Sequence, residues 1–238
     1  LSMWPEERGL AHDGAGVEGG FMPNLELSDY RCFGMPREEA GAIDPQQRLL
    51  LEQGYEVLHA ACIGRDALQG SLAGAFLGII SHDFKAAGSD SVFFINGNLH
   101  SIAAGRLAYV LDLHGPSVAI DTGCSSSLAA CHAASRAMHG TECVVGIAAG
   151  VNIILDASVS QGLATMLLTA SRSKVFDVSA DGYARAEMSA AVLLRPGTHA
   201  RVVAGGAPVL ASAARQDGRR MNLSAPNGRA PVSYTHLT

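Results

Sequence analysis

Three short apolar runs, LAGAFLGII (72–80), SVAI (117–120) and CVVGIAAGVNIIL (143–155), alternate with segments of helical length. Runs this short, rich in aliphatic residues and punctuated by glycine, predict strands buried on both faces. Between and around them lie the helical segments. AIDPQQRLLLEQGYEVLHAA (42–61) has Asp44 as N-cap, Pro45 at the first helical position and Gln47 placed to close a capping box. Leu50, Leu51, Tyr55 and Leu58 then recur at helical spacing and predict one apolar face. NLHSIAAGRLAYVLDL (98–113) reads as a second helix, broken by His114, Gly115 and Pro116, and SSSLAACHAASRAMHG (125–140) as a third, ending at Gly140. Buried strands alternating with helices define an α/β class with helices covering the sheet.

At 238 residues and 48% hydrophobic, the chain can bury the core of one large domain. A net charge of −5 supplies no basic surface for a phosphate backbone or an anionic membrane, so nucleic acid is not expected as a partner, and no membrane span is expected because no apolar run approaches the roughly 18 residues a membrane helix needs. The five cysteines, at 32, 62, 124, 131 and 143, lack the paired spacing of a zinc site and the density of a disulfide scaffold. No bound metal is expected. The opening LSMWPEERGL has no apolar leader stretch, and a cytoplasmic location is the expectation. Leu1 is not methionine, which leaves room for residues before it.

Cys124 is the candidate site residue. SVAI delivers the chain to Asp121, Gly123 makes the turn, and the predicted helix follows, so Cys124 falls at a strand-to-helix elbow. Unpaired N–H groups and the positive end of a helix favour a thiolate there and can hold an oxyanion. Small residues after it, Ser125 to Ser127 and Ala129 to Ala130, predict a helix buried on most sides and a sulfur at the bottom of a pocket. A small buried hydrophobe is the competing reading for any lone cysteine, and it is the one expected for Cys131 and Cys143. Composition and placement leave the two readings of Cys124 balanced. A serine nucleophile among Ser125 to Ser127 would want Gly-x-Ser-x-Gly, which is absent.

DTGCSSSLAA (121–130) resembles the active-site signature of the β-ketoacyl synthases, in particular the ketosynthase domains of type I polyketide synthases and animal-type fatty acid synthases. FGMPREEAGAIDPQQRLLLEQGYEVLHAA, GAFLGIISHDF, SIAAGRLAYVLDLHGPSVAIDTGCSSSL, KVFDVSADGYARAE and QDGRRMNLSAPNG resemble ketosynthase segments in the family's order, over residues from about 20 to 229. The resemblance implies a thiolase-like layered α-β-α-β-α fold, with the first pseudo-repeat and the start of the second in this chain. It implies that Cys124 accepts an acyl group from a carrier-protein phosphopantetheine and that a decarboxylating Claisen condensation follows. It implies an acyl carrier protein and a second copy of the chain as partners, and no bound cofactor, since the pantetheine arm arrives on the carrier.

Several features depart from the family. Its two histidine motifs, His-Gly-Thr and the histidine after Asn-x-Gly, do not occur among the nine histidines here. A ketosynthase portion over 1–230, with 231–238 (PVSYTHLT) an extraneous tail, is the expected organisation; such a portion alone is expected to condense little and to expose apolar surface that aggregates. A non-catalytic ketosynthase-like partner is the alternative, and a hydrolase or thiolase using Cys124 without decarboxylation a third. AEMSAA (186–191) stands where the family has a glycine-rich GEGCGA, implying a different local backbone or relaxed constraint. MLLTASRSK (166–174) replaces a turn with aspartate and glycine. Lys174, Asp177, Asp181 and Glu187 read as a solvated turn with local ion pairs, His132 and His139 as structural, and His82 as a solvated loop residue.

Overall fold

The computed structural model describes residues 19–84, 92–156, 172–197, 206–216, 218 and 219. The chain divides into two units, Leu1–Pro208 and Val209–Thr238. The described residues of the second carry no helix or strand, and the boundary expected at 230/231 lies outside the described residues. Every element below belongs to the first unit.

The apolar runs form the strands they predict: β2 (Ala73–Gly78), β3 (Ser117–Ile120) and β4 (Val145–Asn152). They are mutually parallel in the order β3-β2-β4. Parallel neighbours need long crossovers. Helices α1 (Arg37–Ala42) and α2 (Pro45–Ala60) precede β2. Helices α3 (Phe94–Asn98) and α4 (His100–Leu111) lie on the chain between β2 and β3, and α5 (Ser126–His139) carries it from β3 to β4. A fourth strand, with no counterpart among the predicted runs, is β6 (Met188–Leu194), which pairs antiparallel with β4. Its residues 188–191 belong to the stretch that replaces the family's glycines, and none of residues 186–191 takes a positive φ. Alanine and serine serve there because an ordinary strand needs no glycine. A separate short parallel pair joins β1 (Gly19–Gly20) to β5 (Arg185–Ala186).

The two faces of the sheet differ in side-chain size. Ala75 and Leu77 of β2 and Ile147, Ala149 and Val151 of β4 point to one face, where α2 and α4 cover them with Leu50, Leu51, Leu58, Leu107 and Leu111. The opposite face carries Phe76 and Ala148 flanked by glycines, and α5 lies on it through Ala130, Ala134 and Ala137. The result is a helix layer, a sheet and a second helix layer.

Two details of α2 depart from expectation. Asp44 caps the helix by accepting from the Gln46 N–H at 2.8 Å, but no capping box closes. The Gln47 carboxamide instead donates to the carbonyls of Asn96 (3.2 Å) and Leu99 (3.4 Å) and accepts from Arg106 Nε (2.8 Å). Tyr55 is exposed; Gly54 takes the buried position, because a Cβ there would come within 2.5 Å of Leu107 Cδ1. A third departure concerns α4, which ends at Leu111 with Asp112 in the left-handed region at φ 53°, ahead of the expected breakers.

Burial raises the Asp44 carboxyl to about 6, against the lowering effect of the Gln46 hydrogen bonds and of Arg48; nearby Asp83 adds to the rise. The unfolded chain has the ordinary value of 3.8, so between these two values the native state binds the extra proton. This contribution to stability is therefore present at low pH and is lost as pH rises from about 4 through about 6, by at most about 3 kcal/mol. Asp44→Asn, which keeps a capping oxygen but cannot titrate, is expected to flatten the change in urea midpoint between pH 4.5 and 7. An unchanged slope would place the titration elsewhere.

Candidate active site

β2, β3 and β4 are parallel, so their C-terminal ends meet at one end of the sheet, where the loops after them gather. β3 ends at Ile120, and the chain turns at once. The Asp121 carboxylate accepts from the Gly123 N–H at 3.0 Å, and Gly123 takes φ 67°, a conformation that favours glycine. Cys124 follows, with its side chain exposed. Ser125 is the N-cap and α5 begins at Ser126.

Hydroxyls lace this elbow together. Ser126 Oγ is buried, accepts from the Thr122 N–H at 2.9 Å and donates to the Gly123 carbonyl at 2.6 Å. Ser125 Oγ donates to the Thr122 carbonyl at 2.9 Å, so the Thr122 hydroxyl must be the donor in its 2.9 Å contact with Ser125 Oγ. Turned back in this way, the N-cap side chain makes no capping hydrogen bond to the first turn of α5. The Ser126 N–H is instead held by the Gly123 carbonyl at 3.0 Å. Ser126→Ala removes a buried hydroxyl that bridges Thr122 and Gly123; it is expected to cost about 1–2 kcal/mol in urea unfolding and to accelerate amide exchange at Thr122. Unchanged exchange at Thr122 would show that the turn holds its shape without the hydroxyl.

Cys124 stands at the head of a helix, as its strand-turn-helix context predicts, but that helix is not buried on most sides. α5 buries one stripe, Ser126, Ala130, Ala134 and Ala137, while Leu128 is 74% exposed. Two surface hollows, one lined by Leu27, Asp29 and Glu52 and the other by Tyr55, Glu56 and His59, do not include Cys124. The sulfur of this chain opens to its surface. Cys143 is buried and Cys131 half-buried in the cluster under α5, and burial raises both thiols. Cys32 and Cys62 are exposed.

The loop after β2 reaches the same end of the sheet. The Ser81 carbonyl accepts from Gln46 Nε2 at 2.9 Å and from His100 Nε2 at 3.0 Å, and Ser81 Oγ donates to Asn152 Oδ1 at 3.1 Å. His82 is an exposed loop residue, as expected, and its ring stacks on His100 at 3.7 Å between centroids. Burial lowers the His100 pKa, and His82 lowers it further, against the Ser81 carbonyl and Asp121. His139 Nδ1 contacts the Ser135 carbonyl of its own helix at 2.7 Å.

The charged run after residue 173 divides. Lys174 pairs with Asp181 at 2.9 Å, and Asp177 accepts from the Ser179 N–H and hydroxyl, all at the surface, as a solvated turn should. Glu187 does not belong with them. It is buried, with Oε1 accepting from the Ile154 N–H and Oε2 from the Met22 N–H, each at 2.8 Å. The loop at 166–171 lies outside the described residues.

Three parallel strands with helices on both faces, and an exposed cysteine passed through a glycine turn to the head of a helix, define an α/β domain with a strand-to-helix elbow. Comparison with known proteins gives the family. The description "Beta-ketoacyl synthase, N-terminal domain" matches residues 4–200. A non-reducing polyketide synthase, olcA, of Penicillium canescens is 39% identical over 97% of this chain and 10% of its own length. The phthioceranic/hydroxyphthioceranic acid synthase of Mycobacterium bovis is 38% identical over 90% of this chain and 10% of its own. Among solved structures, the ketosynthase from module 6 of the bacillaene synthase of Bacillus subtilis superposes with a TM-score of 0.76 at 29% identity, over 88% of this chain and 37% of that one. An oxazolomycin ketosynthase domain from Streptomyces albus does so at 0.68 and 34%, over 75% and 33%. The chain belongs to the β-ketoacyl synthase family and has the thiolase-like α/β fold of ketosynthase domains. It spans about a tenth of the curated relatives' length and about a third of the solved ketosynthases.

Proposed function

We propose that the protein is a condensing domain of polyketide or fatty acid assembly in which Cys124 accepts the growing acyl chain. The observation that carries this reading is the exposure of Cys124 at a strand-to-helix elbow, two residues before the first residue of α5. The sulfur attacks the thioester carbonyl of an acyl group carried on a phosphopantetheine arm, and backbone N–H groups at the elbow receive the charge that develops on oxygen. Collapse expels the carrier's thiolate and leaves the acyl group on Cys124. A malonyl unit on the carrier then loses carbon dioxide; the electron pair of the broken C–C bond attacks the acyl-cysteine, Cys124 leaves as thiolate, and a β-ketoacyl chain remains on the carrier. An acyl carrier protein supplies both thioesters, and a second copy of the chain is the family's partner. Exposed Val118 on strand β3 and Leu128 on α5 offer apolar surface for such contacts. No described helix is long and apolar enough to cross a membrane.

A second reading is a ketosynthase-like partner that keeps the elbow without the condensation. Incubation with an acyl thioester and malonyl carrier protein separates the two. The condensing domain takes the acyl group onto Cys124; the partner takes none.

A further inference from the structure

We propose that Gly78 and Gly150 are positioning residues that set how far Cys124 stands above the sheet. This rests on the reading of Cys124 as the nucleophile. The two glycines are register partners at the C-terminal ends of β2 and β4, side by side on the face that α5 covers. A Cβ on Gly78 would stand 2.5 Å from Ser127 N and 2.6 Å from the Ser126 carbonyl carbon, which are backbone atoms of the first turn of α5. A Cβ on Gly150 would stand 2.6 Å from Ser127 Cβ. Real Cβ atoms do not approach this closely, so the two positions form a notch into which the head of the helix has sunk. Nearer its middle, the same helix is held less tightly. The register pair there is Gly74 and Gly146, and a Cβ on Gly146 would meet Ala134 Cβ at 3.1 Å. The closest seat is therefore under Ser126 and Ser127, immediately after Cys124. Ser126 also carries the hydroxyl that holds Thr122 and Gly123. Lifting the first turn moves the elbow with it and displaces the sulfur.

The neighbouring atoms make the proposal separable from a loss of packing. The Gly150 obstacle is a side chain, so Ser127→Gly removes it; the Gly78 obstacle is backbone, which no truncation removes. The experiment measures acyl transfer from a small acyl thioester to Cys124, by mass spectrometry, in Gly78→Ala, Gly150→Ala and each combined with Ser127→Gly. Amide exchange at residues 122–126 is followed in parallel on the same samples. Both single variants are expected to load Cys124 at least about tenfold more slowly and to exchange faster at the elbow. Ser127→Gly is expected to return Gly150→Ala to within about threefold of the parent and to leave Gly78→Ala impaired. Unchanged loading and exchange in folded Gly150→Ala overturns the proposal, as does equal rescue of both variants. Should Gly78→Ala not fold, the Gly150→Ala and Ser127→Gly pair decides alone. A parent protein that takes no acyl group refutes the nucleophile reading instead, and elbow exchange then still tests the seat.

Discussion

Cys124→Ala is expected to abolish acyl loading, a loss of at least about a thousandfold. The nucleophile has no understudy at this elbow: Thr122, Ser125 and Ser126 hold hydroxyls, and these are committed to Thr122 and Gly123 backbone or to one another. An alkoxide is in any case far less accessible near neutral pH than a thiolate. Because the side chain is exposed, the same substitution is expected to move the unfolding free energy by no more than about 0.5 kcal/mol. Activity and stability therefore separate, which a packing cysteine would not allow. A variant that loads normally, or one that loses loading only together with its fold, would return Cys124 to a structural role. Measured side by side, thioester loading and urea midpoints distinguish the three outcomes.

Glu187→Ala is expected to destabilise the fold more than Asp44→Asn, Ser126→Ala or Cys124→Ala, at about 2–5 kcal/mol. The carboxylate reaches backbone N–H groups of two distant segments, Met22 before the first helices and Ile154 just after β4, and its own N–H donates to the Gly20 carbonyl at 2.7 Å. Truncation withdraws the acceptor from both donors, and the Ile154 N–H is buried where water cannot replace it. Glu187→Gln is expected to recover about half of the loss, since a carboxamide has one acceptor oxygen and sets its NH2 group against the second donor. Urea unfolding of both variants reads this directly. A loss below about 0.5 kcal/mol in the alanine variant would mean that the residue sits in a solvated turn after all.

What could be read from the sequence follows the range over which each signal acts. β2, β3, β4, α2, α4 and α5 are legible because hydrophobic runs and helical spacing are local. So is the elbow, where a short strand, Gly123 and a run of small residues adjoin. β6 is not: MSAAVLL has little β-branching and no clear alternation, and only its pairing with β4 makes it a strand. Glu187 misleads because it shares a charged stretch with Lys174 and Asp181, while its partners lie 165 and 33 residues away. The capping box fails for a similar reason, since Gln47 is claimed by Asn96, Leu99 and Arg106. The glycines of β2 and β4 do carry a signal. Gly74 and Gly78, like Gly146 and Gly150, recur at a spacing that puts each pair on one face of its strand, which marks a face kept bare for a close neighbour. Small residues along α5 suggest burial all round; they answer instead to that bare face, on one side only.

Site mapping of acyl transfer puts the nucleophile reading to the most direct trial, because the chain carries its own controls. Cys32 and Cys62 are exposed like Cys124, yet neither stands at the head of a long helix. After incubation with an acyl carrier protein thioester, peptide mass spectrometry is expected to find one acyl group per chain, on Cys124, with Cys32 and Cys62 bare and no label in Cys124→Ala. Label shared evenly among the three exposed thiols, or undiminished when Cys124 is replaced, would contradict the account.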